Sequence, residues 1–247
     1  MPKRPKLRNV EKYRPPYPLN EFPKRFPLKL GKEIVYFLAT RNSDRLEGSD
    51  WEEIFARTVG AKWKPSNVGL DDVVLEQTAW GAKTIKNRNP FNVKRARLIS
   101  GRNSPVFSYG DKEVADRPPA ELGEKVLEIY NERVVSIRKK YKHLRTVVLI
   151  KGPGLLECSV IELPTETYDL SAYEWTWNKS SNLEGREKKT GFHKFTWQPH
   201  GSQFTIIENL AAKRLSIRVK KPAALSKKTV LEELQFDESW IEVVKND

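Results

Sequence analysis

VGLDDVVLEQTAWGAKTIKN, residues 68–87, decides how the rest of the chain is read. It holds two short runs rich in β-branched and aromatic residues with little between them. That pattern predicts a β-hairpin or two adjacent strands. Strand alternation then puts Asp72, Val74 and Glu76 on one face of the first run, and Gly81, Lys83 and Ile85 on one face of the second. Acids (Asp71, Asp72, Glu76) are thus followed about ten residues later by lysines (Lys83, Lys86). Carboxylates are hard oxygen ligands suited to Mg²⁺. A metal so held polarises a phosphoryl oxygen and lowers the pKa of its water. A lysine on the next strand orients that water and offsets charge in the transition state. The spacing alone is common near turns, so its surroundings decide its weight.

Upstream, Ser49 and Glu52 have the spacing of a capping box, and Gly60 can end the helix they open. Trp51, Ile54, Phe55 and Thr58 fall at helical spacing within it. GKEIVYFLATR, from Gly31, reads as a short helix or strand, and Lys62–Lys64 as a short strand. Downstream, RARLIS (95–100) is strand-like and runs into a turn, GRNSP, with a loop over 111–119. Residues 120–141 give the clearest helix: Leu122, Val126, Ile129, Val134, Ile137 and Tyr141 recur at helical intervals, with acids early and Arg138, Lys139 and Lys140 late. RTVVLIK (145–151) and residues 155–163 read as strands. Beyond Tyr168 aromatic residues alternate with polar ones between glycine turns, predicting a β-rich part over about 165–220, and a short helix is expected near 227–235. The fold class expected is mixed α/β, with residues 30–247 forming one domain around a central mixed sheet flanked by helices.

The order helix, short strand, strand, strand, connection, long helix, strand over about 49–151, with GLDD at 69–72 and Lys83 beyond it, resembles the PD-(D/E)XK nuclease superfamily, and type II restriction endonucleases in particular. DDVVLEQTAWGAKTIK, RLISGRNSP and TWQPHGSQFTI carry the same resemblance. It implies a restriction-endonuclease-like core that hydrolyses DNA phosphodiester bonds with Mg²⁺. The first acid falls on Asp72, followed by an apolar run, with Asp71 as fallback; the lysine falls on Lys83. The sequence departs from the pattern at Gly81, where the second acid belongs. Related nucleases can supply that carboxylate from the preceding helix, which makes Glu53 or Glu52 the candidates and Glu76 a weaker one. A homodimer is implied for cutting both strands of a palindromic site. So is a role in restriction–modification in a prokaryotic cytoplasm.

Forty-five Lys and Arg against thirty-two Asp and Glu leave a formal charge of +13, which points to a polyanionic partner such as double-stranded DNA. Residues 1–29 carry seven prolines and nine basic residues. They read as an extended basic arm for phosphates or a dimer partner, or as a solvated tail. Two loops are candidates for base readout. GRNSP offers Arg102, Asn103 and Ser104; WQPHGSQF offers Gln198, His200, Ser202 and Gln203 in a turn stiffened by Pro199 and Gly201. Asn178 and Arg186 are candidate backbone contacts, as is Lys86. Tryptophans 175, 177 and 197 read as core before stacking platforms.

One cysteine, Cys158, excludes an intramolecular disulfide and a Cys-rich zinc site. There is no membrane-length apolar run, no secretory h-region, no P-loop, no dinucleotide fingerprint and no G-x-S-x-G elbow. Membranes and nucleotide cofactors are therefore not expected. Two rival readings stay open: a nucleic-acid-binding protein without catalysis, and a structure-specific or repair nuclease on the same core.

Overall fold

The computed structural model describes residues 13–64, 69–110 and 117–244. Two helices come first, α1 (Phe26–Arg41) and α2 (Gly48–Val59). α1 begins five residues before Gly31, with a proline in its first turn, where a missing N–H leaves nothing unpaired. This shortens the arm expected over 1–29; its residues 1–12 lie outside the described residues. α2 ends at Gly60 in the left-handed region (φ 72°), as the pattern predicts. Its start is corrected. Glu47 and Asp50 form the capping box, in place of Ser49 and Glu52. Glu52 is thereby released from the cap.

β1 (Lys62–Trp63), β2 (Val73–Leu75) and β3 (Thr78–Lys86) run antiparallel. Leu75 pairs with Thr78, so the turn holds Glu76, exposed and with φ 50°. Asp72 precedes β2 and Glu76 follows it, so the strand face expected to hold both does not exist. After β4 (Arg95–Arg102), α3 (Pro105–Tyr109) and α4 (Pro119–Lys140), the chain returns as β5 (His143–Lys151), parallel to β3. β6 (Glu157–Pro164) pairs antiparallel with β5, and β11 (Leu215–Arg218) with β6. The sheet order is β1-β2-β3-β5-β6-β11.

β4 does not join that sheet. It edges a second, antiparallel one in the order β4-β10-β9-β8-β7, built with β7 (Tyr173–Trp177), β8 (Leu183–Glu187), β9 (His193–Gln198) and β10 (Gln203–Asn209). Its residues alternate exposed and buried, the mark of a strand with one face covered. The mixed α/β class holds: the described residues form two sheets and five α-helices (α5, Lys227–Glu233, is the last), and β4 belongs with the β-rich C-terminal part instead of the central sheet. No described helix is long and apolar enough to cross a membrane.

Three apolar clusters hold this together. α1 and α2 lay Phe26, Leu30, Trp51 and Phe55 on Trp80, Val147 and Leu149 of the first sheet. α4 packs Leu122, Val126 and Tyr130 against Trp175, Phe195, Trp197 and Phe204 of the second. Val148, Ile150 and Ile161 meet Ala96 and Leu98 between the two. The tryptophans at 175 and 197 are core, as expected. α4 approaches so closely that a Cβ on Gly123 would sit 2.1 Å from the Trp175 ring, so the helix needs glycine there.

A polar network pins the N-terminal segment to the first sheet. Glu162, fully buried on β6, accepts hydrogen bonds from Tyr17 Oη (3.0 Å), the Trp80 indole (2.6 Å) and Arg145 (2.9 Å). Arg145 also donates to the Tyr17 carbonyl, and Asn20 brackets the Glu162 backbone. The segment that leads into α1 is therefore part of the folded body.

Candidate functional site

The hairpin and α2 bring three of the expected residues to one place. The Asp72 carboxylate accepts a hydrogen bond from the Ala82 amide (3.1 Å), which ties the end of the first run to the middle of β3. Next along β3, the Lys83 ammonium donates to the Gly69 carbonyl at 3.0 Å. Burial pushes the Asp72 carboxyl up to about 6; Lys83 and the Ala82 amide pull it down, and Glu52 and Asp71 push it further up. Burial also lowers Lys83, against the pull of Asp72 and Glu52, with Arg133 adding to the lowering. Each partner of the pair is thus drawn toward its neutral form, as proton-handling sites often are.

Glu52, rather than Glu53, is the α2 acid felt at this pair. Its charge acts on both Asp72 and Lys83, and its Oε2 accepts from the exposed Trp63 indole at 3.2 Å. Glu53 points elsewhere, in an ion pair with Arg57 one turn along, which also reaches Glu33. Asp71 turns its Oδ2 to Lys64 (3.2 Å), while its buried Oδ1 has no partner. Glu76 sits at the hairpin tip, outside the group.

The missing acid at Gly81 has a steric reason. A Cβ there would lie 2.9 Å from the Gly69 carbonyl oxygen and 3.1 Å from the Leu70 Cα. The chain that leads into Asp72 crosses directly over β3, leaving room only for hydrogen. Backbone occupies the place of a carboxylate, and its Gly69 oxygen is what Lys83 binds.

Arg133 was not expected. It lies on α4, half-buried, and is lowered by desolvation while Tyr130 and Asp72 support its charge. Its Nη1 donates to Asn103 Oδ1 at 2.9 Å, and its guanidinium packs on Gly101 so tightly that a Cβ there would be 2.6 Å away. A signal existed: Val126, Tyr130, Arg133 and Ile137 fall on one helical face, so an arginine was placed in an apolar stripe.

The two readout loops meet. Gln203 of β10 pairs with Arg102 of β4 and with Gln198 of β9, and the Asn103 amide donates to the Ser202 carbonyl at 2.8 Å. Arg102 and His200 are exposed; Gln198, Ser202 and Gln203 are half-buried. Asn178 adjoins them across a groove of about 490 Å³ between Trp177 and His200. It also organises its own turn, bonding Glu184, Ser180 and Asn182.

Three expected contacts have partners within the chain. Asn103 is wholly buried, its side-chain amide between Val126 O and Arg133 and its carbonyl on the Trp197 indole, so no edge faces a base. The Ser104 hydroxyl caps α3 by accepting from Phe107 N. Arg186 pairs with Glu184 and lies opposite His193, at the far end of the sheet from the loops. Lys86 is exposed at the end of β3, beside Lys151.

Compared with known proteins, the chain matches no family model, no curated protein and no solved structure. Among the described residues no group of three or more His, Cys, Asp or Glu side chains is arranged to hold a metal. A smaller set still suits Mg²⁺, which is commonly held by one or two carboxylates together with substrate phosphates. Asp72 and Glu52, whose charges act on each other, would be those two.

Proposed function

We propose that the chain is a Mg²⁺-dependent, sequence-specific endonuclease of double-stranded DNA, acting as a homodimer. The observation that carries the reading is the placement of Asp72, bonded to the Ala82 amide, next to Lys83, the following residue of β3, with the charge of Glu52 from α2 acting on both. The net charge of +13 favours a phosphate-bearing substrate. Asp72 and Glu52 are the residues to hold Mg²⁺, which when bound polarises the phosphoryl oxygen and acidifies its water.

The chain's own residues then do the following. Lys83, lowered by burial, exchanges its bond to Gly69 O for one to the attacking water and takes or steers a proton of that water. The water oxygen bonds to phosphorus as one P–O ester bond breaks; the proton given up by the water passes through Lys83 to solvent, and the leaving oxygen takes a proton from solvent. Arg133, inside the site's field, offsets charge that builds on the phosphoryl oxygens. Arg102, Gln198, His200, Ser202 and Gln203 form the base-reading edge, with Asn178 beside them.

The test is incubation with long unmethylated phage DNA, with Mg²⁺ or EDTA, beside Lys83→Ala. Discrete fragments that need Mg²⁺ and vanish in the variant support the proposal. One observation favours a second reading, nucleic-acid binding without catalysis: the acid position at Gly81 is filled by backbone. It expects intact DNA and a gel shift that survives EDTA.

A further inference from the structure

The C-terminal segment contrasts with the rest of the molecule. From Thr229 to Val244 there are five acids and no lysine or arginine, in a chain of net charge +13. The segment is also apolar and uncovered. Trp240 is 62% exposed and Val243 81%, with Leu234, Ile241 and Val244 similarly open. Ile241, Val243 and Val244 are β-branched and lie outside helix and strand. Isolated exposed apolar residues are ordinary, but a run of them with one sign of charge marks a contact surface.

The complementary surface lies on the same chain. α1 and the end of β11 enclose a groove of about 940 Å³, lined by Leu28, Val35, Tyr36 and Val219. Leu28 is 65% exposed and Tyr36 61%, though both sit on a helix whose other face is core. The charged residues lining the groove are basic, Lys32, Lys220 and Lys221 among them. Among the described residues β11 is the outer strand of its sheet, bonded only to β6, with its other edge open to a further strand. The Leu225 amide bonds the Ala39 carbonyl at 2.9 Å, so the acidic segment starts at the far end of the helix that forms the groove.

We propose that residues 229–244 of one chain dock in the α1–β11 groove of a second copy, and that the second copy returns the same contact. Acidic apolar segment meets basic apolar groove, and a reciprocal exchange closes with two-fold symmetry. The contact uses none of the Asp72 site residues: a lone chain in solution would remove the homodimer from the proposed function but leave its cleavage chemistry standing, and a failure to cut DNA would leave the contact standing.

The test uses the full chain. Cys158 is buried and the only native cysteine, so introduced thiols are read cleanly. Tyr36→Cys and Val243→Cys proteins are mixed and mildly oxidised, beside the double variant Tyr36→Cys/Val243→Cys. Light scattering gives the mass of the native chain. The expected results are twice the chain mass in solution and at least tenfold more linked dimer in the mixture than in either single variant. Lys220→Glu/Lys221→Glu, both at the surface, should weaken association at least tenfold. A native mass of one chain overturns the proposal. So does linkage of the double variant only within single chains, which would mean the segment returns to its own groove. A dimer that forms no link between the thiols introduced at positions 36 and 243, or is unchanged by Lys220→Glu/Lys221→Glu, also overturns it by placing the interface elsewhere.

Discussion

Two buried charge groups share the first sheet, and they are built differently. Around Glu162 every charge is satisfied: a phenol, an indole and a guanidinium all donate to one carboxylate, and Arg145 spends its second arm on the Tyr17 carbonyl. Around Asp72 the satisfaction is partial. Its described hydrogen bond comes from one backbone amide, Lys83 binds a carbonyl rather than a carboxylate, and Asp71 Oδ1 has no partner. Both carboxyls are raised by burial. Only the second lies beside a lysine that is itself lowered. Trp80 and Lys83, three residues apart on β3, serve the two groups. A closed network holds a segment in place; an open one keeps ligand positions for something that arrives. That difference separates a structural group from a candidate catalytic one without reference to any relative.

The largest effect on stability should come from the closed group. Glu162→Ala leaves Arg145 buried without its charge partner and should cost about 3–5 kcal/mol, read as a lowered urea midpoint. Residues 13–25 should become protease-sensitive in the same variant. The open group should respond in the opposite sense. The folded Asp72 carboxyl, at about 6, lies above its unfolded value of 3.8, so the protonated form suits the fold. Its contribution is fully present below about pH 4 and is lost as pH rises through about 6. In EDTA, Asp72→Asn should therefore stabilise at pH 8 by up to about 3 kcal/mol and show no gain at pH 3; with Mg²⁺ it should remove cleavage. A loss of stability at pH 8 would place Asp72 with the closed kind of group.

Gly81→Ala should destabilise by about 1–3 kcal/mol, because the new methyl meets the Gly69 carbonyl. Restoring the acid with Gly81→Glu should therefore worsen folding rather than improve catalysis. The smallest effects on stability distinguish the α2 acids. Glu53→Gln removes an exposed pair with Arg57 and should change stability by no more than about 0.5 kcal/mol, with cleavage intact. Glu52→Gln should be equally mild for the fold but should lower cleavage about 10- to 100-fold, with the loss eased by higher Mg²⁺.

What could be read from the sequence was local. The α4 stripe, the Gly60 stop and the β2–β3 hairpin follow from periodicity and turn chemistry within a few residues. What could not be read depended on distant partners. RARLIS has a strand pattern, but which sheet takes it is decided by β10, about a hundred residues later. Glu52 and Glu53 are adjacent in sequence, and only the packed helix shows that Glu52 meets Trp63 while Glu53 pairs with Arg57. Asn103 has the chemistry of a base reader, yet α4 and Trp197 bury it. Gly81 looked like a lost acid; the crossing of Gly69 and Leu70 above it is a long-range fact of packing. Arg133 alone was legible and overlooked, since its helical face was already marked as apolar.

The most direct measurement is cleavage of unmethylated phage DNA by the wild-type chain, Lys83→Ala and Asp72→Asn, each with Mg²⁺ and with EDTA, at matched folded fractions. The account predicts discrete fragments for the wild type with Mg²⁺ only, and roughly a thousandfold loss or more in both variants while gel-shift binding persists. Intact DNA under all conditions, or fragments that survive Lys83→Ala, would contradict it.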